Sequence, residues 1–194
     1  MKNENKLKGR DLINIGVFGA IYFVILFAVA MLGMIPIFLP LLSVLVPIVG
    51  GIPFMLFLTT VKKIGMIFIM AMIMGILMLL TGMGPWPLLT CAIAGGLAEI
   101  SLSRGGYKCI KRAILSCGLF SMWIFGNYLP LFTDYEGYFA QRADYGQAYI
   151  DAVSKLMPIW IAPILLIACF VCGILGGFLG QTLLKKHFQK AGIA

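Results

Sequence analysis

Acidic side chains are scarce in this chain, seven in 194 residues, and only Glu99 falls inside an apolar stretch. Proton-coupled carriers rely on chains of buried acids or histidines, and nothing here supplies one. There is a single histidine, His187, set in a basic tail. H-E-x-x-H, G-x-S-x-G and G-x-x-x-x-G-K-[ST] are all missing, which removes zinc proteases, nucleophile-elbow hydrolases and P-loop ATPases. None of the five cysteines lies in the segments expected outside, so a disulfide framework is not expected. Cys169 and Cys172 form a C-x-x-C, but in an apolar run with no basic neighbour to hold a thiolate. They are expected to pack as small residues.

What is abundant is apolar. The chain is 61% hydrophobic with a mean hydropathy of +1.03, outside the range of soluble globular domains. Six apolar stretches stand out, at 12–34, 35–60, 64–80, 88–102, 110–132 and 157–184. Six spans leave little chain for a catalytic soluble domain. The first run is too long for a cleavable signal, and no A-x-A-like site follows it.

The basic residues are sorted between alternate connections. Thirteen of fifteen sit before span one, after span two, after span four or after span six: Lys2, Lys6, Lys8, Arg10, Lys62, Lys63, Arg104, Lys108, Lys111, Arg112, Lys185, Lys186 and Lys190. Only Arg142 and Lys155 lie on the other connections. Lys and Arg stay on the cytoplasmic side because translocating them is unfavourable. The expected architecture is an all-α, six-helix bundle forming one membrane domain over 1–194, with both termini cytoplasmic. The net charge of +8 is then the rim of a membrane protein and calls for no nucleic acid.

Individual spans carry further signals. Asp11 or Asn14 is expected to cap span one. Gly16, Gly19 and Ala20 cluster on its early turns, and Gly16-x-x-x-Ala20 suits close helix approach, either inside the bundle or against another protein. Span two holds Pro36, Pro40, Pro47 and Pro53 with Gly50–Gly51, which predicts a kinked or broken helix with irregular backbone near Gly50. Met66, Met70, Met74 and Met78 form one stripe on span three, read as adaptable packing. Gly95 and Gly96 should allow close packing of span four, where Glu99 is expected to pair with Arg104 or Lys108. Gly173, Gly176, Gly177 and Gly180 give span six two overlapping G-x-x-x-G pairs.

The segment 133–156 is the sizeable polar stretch, with Asp134, Glu136, Asp144 and Asp151. Taken as one helix, it puts Tyr135, Tyr138, Arg142, Tyr145 and Tyr149 on one face. It reads either as an interfacial helix with an aromatic belt or as a lid over a ligand, with Arg142 meeting an anionic group. Trp86, Trp123, Asn127, Tyr128, Tyr135, Tyr138, Arg142, Tyr145 and Trp160 are the candidate ligand contacts. No metal site and no catalytic residue are expected.

Asp11–Tyr22 (DLINIGVFGAIY), Gly51–Phe57 (GIPFMLF), the Gly82–Pro87 turn and Asn127–Leu131 (NYLPL) resemble the Trep-Strep or MptD-like group of energy-coupling factor (ECF) transporter substrate-binding (S) components. The resemblance covers nearly the whole chain. It implies a six-helix protein of the bacterial plasma membrane that captures a micronutrient outside. It also implies docking on a coupling transmembrane subunit with two ATPases, so ATP is used by those partners and no cofactor resides in this chain. Gly16, Gly19 and Ala20 match the family's coupling contact, with glycine where alanine is more usual. An iron chelate or tetrapyrrole is one substrate consistent with the tyrosine supply. A membrane assembly factor using the glycine faces is the alternative, and a small intramembrane enzyme stands third.

Overall fold

The computed structural model describes residues 7–60, 63–140, 142 and 145–185. Lys2, Lys6, Lys62, Asp144, Lys186, His187 and Lys190 lie outside the described residues. The described chain is helical throughout and contains no strand. Its elements are α1 (Gly9–Ala30) with a 3-10 turn (Met31–Met34), α2 (Phe38–Thr60), α3 (Met66–Leu80), α4 (Trp86–Ser103), and α5 (Ile110–Ser121) with a 3-10 segment (Met122–Asn127). Two short helices follow, α6 (Leu129–Thr133) and α7 (Tyr135–Ala140), then α8 (Gln147–Leu156) and, after a 3-10 turn (Ile159–Ile161), α9 (Ala162–Leu183).

Four helical stretches are long and apolar enough to cross a bilayer: Gly9–Met34, Phe38–Thr60, Trp86–Ser103 and Ile159–Leu183. α3 is apolar but has 15 residues, about 22 Å at the helical rise. The outward faces are apolar too, with Ile13, Val24, Leu80, Ile93 and Ile167 all more than half exposed, as lipid contact requires.

α1 begins earlier than expected. Lys8 is its N-cap, and Asp11 reaches back from the first turn to accept the Lys8 N–H at 2.8 Å. Its Oδ2 also meets Lys63 Nζ at 2.5 Å. The carboxylate thus sits beside the positive end of the helix dipole and ties the start of α1 to the approach to α3.

α2 is one continuous helix, unbroken and without the irregular backbone expected near Gly50. Pro36 precedes it and Pro40 lies in its first turn, where no intrahelical donor is lost. Pro47 and Pro53 do interrupt its ladder, but both are buried, and α9 supports the helix along its length. The contact is backbone to backbone. A Cβ on Gly51 would lie 2.6 Å from the Gly176 Cα, and one on Gly176 would lie 2.5 Å from the Pro47 oxygen. Gly180 fits against Met55 and the Gly51 carbonyl in the same seam. The glycines of α9 are therefore spent inside this chain, where close packing is the main attraction available in lipid.

Met66, Met70 and Met74 are fully buried between neighbouring helices, as the packing reading expects. Gly95 sits against Ala71, but Gly96 faces open space and contributes no packing. Cys169 and Cys172 are buried on α9, and all five cysteines are free thiols.

Glu99 pairs with neither Arg104 nor Lys108. It is buried, and its Oε2 accepts the N–H groups of Ile67 (2.9 Å) and Phe68 (3.4 Å) at the start of α3. Oε1 accepts the Tyr107 hydroxyl at 2.6 Å. The unpaired donors of a helix N-terminus and its dipole offer the carboxylate what a surface cation would have offered. Tyr107 and Gly106 both have positive φ, 59° and 60°, which turns the loop back so that the phenol reaches Glu99.

These anchors place Lys8, Arg10, Lys63, Arg104, Lys108, Lys111, Arg112 and Lys185 at one end of the bundle. Arg142 and Lys155 belong to the segment at the other end.

Candidate functional site

The end poor in basic residues holds a cavity of about 370 Å³. Its existence begins with a defect in the fifth apolar stretch, which is not the single helix expected over 110–132. After Ser121 the chain tightens to a 3-10 segment. Gly126 lies where a Cβ would press on the Pro87 Cα at 2.9 Å, and Pro130 has no N–H to continue a helical ladder. The Trp123 carbonyl, lacking its α-helical donor, accepts the Thr90 hydroxyl at 3.0 Å. Such tightened turns re-aim side chains. Here Trp123, Ile124, Asn127 and Tyr128 all reach the cavity wall.

The end of α1 and the start of α2 supply Leu26, Phe27, Gly33, Leu39, Leu42 and Val46, and Met78, Thr81 and Met83 complete the wall. The roof is Tyr138, Phe139, Tyr145 and Tyr149. Among the described residues no Asp, Glu, Lys or Arg lines the cavity.

The roof is not the one-faced helix that the tyrosine spacing suggests. Between α7 and α8 the Arg142 N–H donates to the Phe139 carbonyl (2.9 Å) and the Tyr145 N–H to the Arg142 carbonyl (3.1 Å). Gly146 is the N-cap of α8. The two helices fold back on each other, and the Tyr135 hydroxyl staples them by donating to the Ile150 carbonyl at 2.6 Å. Phe139 becomes the hub, meeting Tyr135, Tyr138, Tyr145 and Tyr149 at ring separations of 4.9 to 6.3 Å. Tyr145 stacks on Tyr149 at 4.4 Å. Aromatic pairs of this kind add about 1 kcal/mol each beyond area burial.

Hydrogen bonds fasten the roof to the bundle. The Tyr149 hydroxyl donates to the Gly33 carbonyl at 2.6 Å, below it the Tyr128 hydroxyl donates to Leu39 at 3.0 Å, and Arg142 Nη2 donates to Gly82 at 2.9 Å. Arg142 Nη1 donates to the Tyr138 carbonyl at 2.9 Å, and its guanidinium lies 3.9 Å from the Tyr138 ring centroid. Burial pushes the phenol pKa values of Tyr135, Tyr138 and Tyr149 upward, so these side chains are neutral at physiological pH.

Of the nine candidate contacts, Trp123, Asn127, Tyr128, Tyr138 and Tyr145 meet around the cavity, and Trp86, Tyr135, Arg142 and Trp160 do not. Trp86 is on the outside of the Gly82–Pro87 turn, and Trp160 is 65% exposed on the bundle surface. Tyr135 is occupied in the staple, and Arg142 is a strap across the roof's edge. Sequence spacing missed Phe139 because it falls off the tyrosine stripe, and Leu39, Leu42 and Met83 because they are ordinary apolar residues far from it. Asn127 is distinctive within the wall: Nδ2 donates to the Ile124 carbonyl at 3.1 Å, while Oδ1 is sealed from solvent and accepts nothing.

On the flank, Gly16 and Ala20 face outward, with nothing within 4 Å of a Cβ at Gly16. Gly19 does not share that face; it is buried and looks toward Ile73.

The sequence profile of a group described as hypothetical bacterial integral membrane proteins (Trep_Strep) matches residues 9–190. The chain belongs to the Trep_Strep family. The match spans every residue of the cavity wall and roof, so the site lies in the part that defines a Trep_Strep protein. Family membership and the apolar helices together make it a multi-pass membrane protein. Neither a curated protein nor a solved structure matches it.

If Arg142 is a strap, its loss should loosen the roof and leave the bundle intact. Arg142→Ala removes two hydrogen bonds to carbonyls and a cation–π contact, roughly 1–2 kcal/mol of local closing energy. Hydrogen exchange of 135–156 should speed up by about tenfold with the α2–α9 core unchanged. Unchanged exchange in the roof would remove the strap role.

Proposed function

We propose that this Trep_Strep protein is the substrate-binding component of an ECF-type importer in the bacterial plasma membrane. The observation that carries this is a cavity at the end poor in basic residues, covered by an aromatic roof that is strapped to the bundle. The distribution of basic residues supports six crossings with both termini cytoplasmic, which turns the roof outward. The roof then acts as a lid over a captured micronutrient. A coupling transmembrane subunit and two ATPases supply the energy, and ATP is bound and hydrolysed there.

Gly16 and Ala20 are the proposed docking face for the coupling subunit, because their small side chains are outward and leave the helix backbone approachable. The α9 glycines, the main surface for the assembly-factor alternative, are consumed by α2 and α5, so nothing specific favours that reading. An iron chelate or tetrapyrrole draws little support, since Tyr128, Tyr135 and Tyr149 spend their hydroxyls on carbonyls.

The test is mild-detergent purification from native membranes with mass spectrometry of proteins. A coupling subunit and ATPases should come down with the chain. Ala20→Trp should reduce their recovery by about tenfold or more through steric exclusion, with thermal unfolding unchanged. Stable partners of another kind would replace the importer reading, and full recovery with Ala20→Trp would move the docking face elsewhere.

A further inference from the structure

The cavity's chemistry narrows what it accepts. Among the described residues its wall holds no charged side chain, and Arg142, the guanidinium of the roof, is already committed to the Gly82 and Tyr138 carbonyls. A carboxylate or phosphate placed inside would lose its water and gain no counter-charge, at a cost of several kcal/mol. The ligand that fits is neutral.

Most polar groups in the wall are also committed. Tyr128 and Tyr149 donate to carbonyls, Thr81 donates to the Met78 carbonyl at 2.8 Å, and the Trp123 indole N–H points to the Tyr22 hydroxyl at 3.4 Å. The Tyr138 and Tyr145 hydroxyls have no hydrogen bond among the described residues but remain open to water, whereas Asn127 Oδ1 is sealed from solvent and has no donor. A sealed acceptor without a partner costs about 1–3 kcal/mol, and an unexplained one calls for a missing group. The terminal torsion of asparagine is broad, so a small rotation of the carboxamide turns that oxygen to an incoming donor. The stacked Tyr145–Tyr149 pair above supplies a flat surface.

Building on the capture role, we propose that the cavity binds a neutral, flat, largely apolar molecule that donates an N–H to Asn127 Oδ1. Sites built around a buried hydrogen bond reject the analogue lacking it far more strongly than apolar sites reject a methylene. Discrimination should therefore rest on one donor and on the absence of charge.

The experiment uses the full chain in nanodiscs and three probes: indole, 1-methylindole and indole-3-carboxylate, titrated by calorimetry. Indole should bind saturably, and methylating its nitrogen or adding the carboxylate should each weaken binding by roughly tenfold or more. In Asn127→Leu the preference for indole over 1-methylindole should shrink to within about twofold, with 1-methylindole still bound. The three-probe comparison on the unaltered chain stands even if that variant does not fold. Tighter binding of the carboxylate, a preference that survives Asn127→Leu, or no saturable binding of any probe overturns the proposal. The titration contains no importer subunits, so its failure is separate from a failure to find a coupling partner.

Discussion

Gly51→Ala is expected to destabilise the purified protein by about 3 kcal/mol or more, near the upper end for adding one methyl group to a packed core. The added carbon would fall 2.6 Å from both the Gly176 Cα and its carbonyl oxygen. A flexible side chain could swing aside, but helix backbone cannot. α2 and α9 would have to separate, and theirs is the most extensive interhelical contact in the fold. In lipid no hydrophobic force pulls the two helices back together, so each lost increment of packing is felt in full. Gly176→Ala should do similar damage, since its Cβ meets the Pro47 and Ile48 oxygens at 2.5 and 2.8 Å. The double variant should cost less than the sum, because both changes wedge the same seam. Gly96→Ala is the control: it meets nothing within 4 Å and should be neutral or gain up to about 1 kcal/mol in helix propensity. Thermal unfolding of the four proteins in one detergent decides it. Equal midpoints for Gly51→Ala and Gly96→Ala would mean that the seam is looser than the structure has it.

Glu99→Leu is the second large effect expected, at about 2–4 kcal/mol. The substitution keeps much of the volume in a buried site but removes the acceptor for the Ile67 and Phe68 N–H groups and the Tyr107 hydroxyl. The loss should appear as faster hydrogen exchange in the first turn of α3 together with a lower unfolding midpoint. Glu99→Gln keeps one carbonyl oxygen and should cost less than half as much as Glu99→Leu. Burial and the hydrogen bond to Glu99 push the Tyr107 pKa upward, so the phenol remains a donor across physiological pH. Tyr107→Phe should cost about 1 kcal/mol, the usual net value of one such bond. Stability within 0.5 kcal/mol of wild type for Glu99→Leu, a margin of about the size of ordinary surface substitutions, would show that water replaces the carboxylate. It would then give no support to Glu99 as an anchor.

The sequence by itself determined that this chain is helical and built for lipid, because hydropathy and the scarcity of charge are local properties that no tertiary contact can reverse. It determined that the basic residues gather on alternate connections, and it marked the methionine stripe as packing, since period and side-chain type carry that information. It also collected the tyrosines of the cavity's roof, though not Phe139, and half-named its wall: Trp123, Asn127, Tyr128, Tyr138 and Tyr145 could be chosen from composition and expected depth. The tertiary structure alone decided where the polar atoms are spent. Arg142 looked like an anion receptor until its partner proved to be the Gly82 carbonyl, 60 residues away. Tyr149 reaches a carbonyl 116 residues away, and Glu99 meets the start of α3 about 32 residues before it. Whether Pro47 and Pro53 break α2 depended on α9, and whether Gly16, Gly19 and Ala20 share a face depended on which side of α1 meets α3. Local pattern sets which residues leave water. The pairing of donors with acceptors is set by which distant backbone segments arrive beside them, and that follows from helix packing and loop closure.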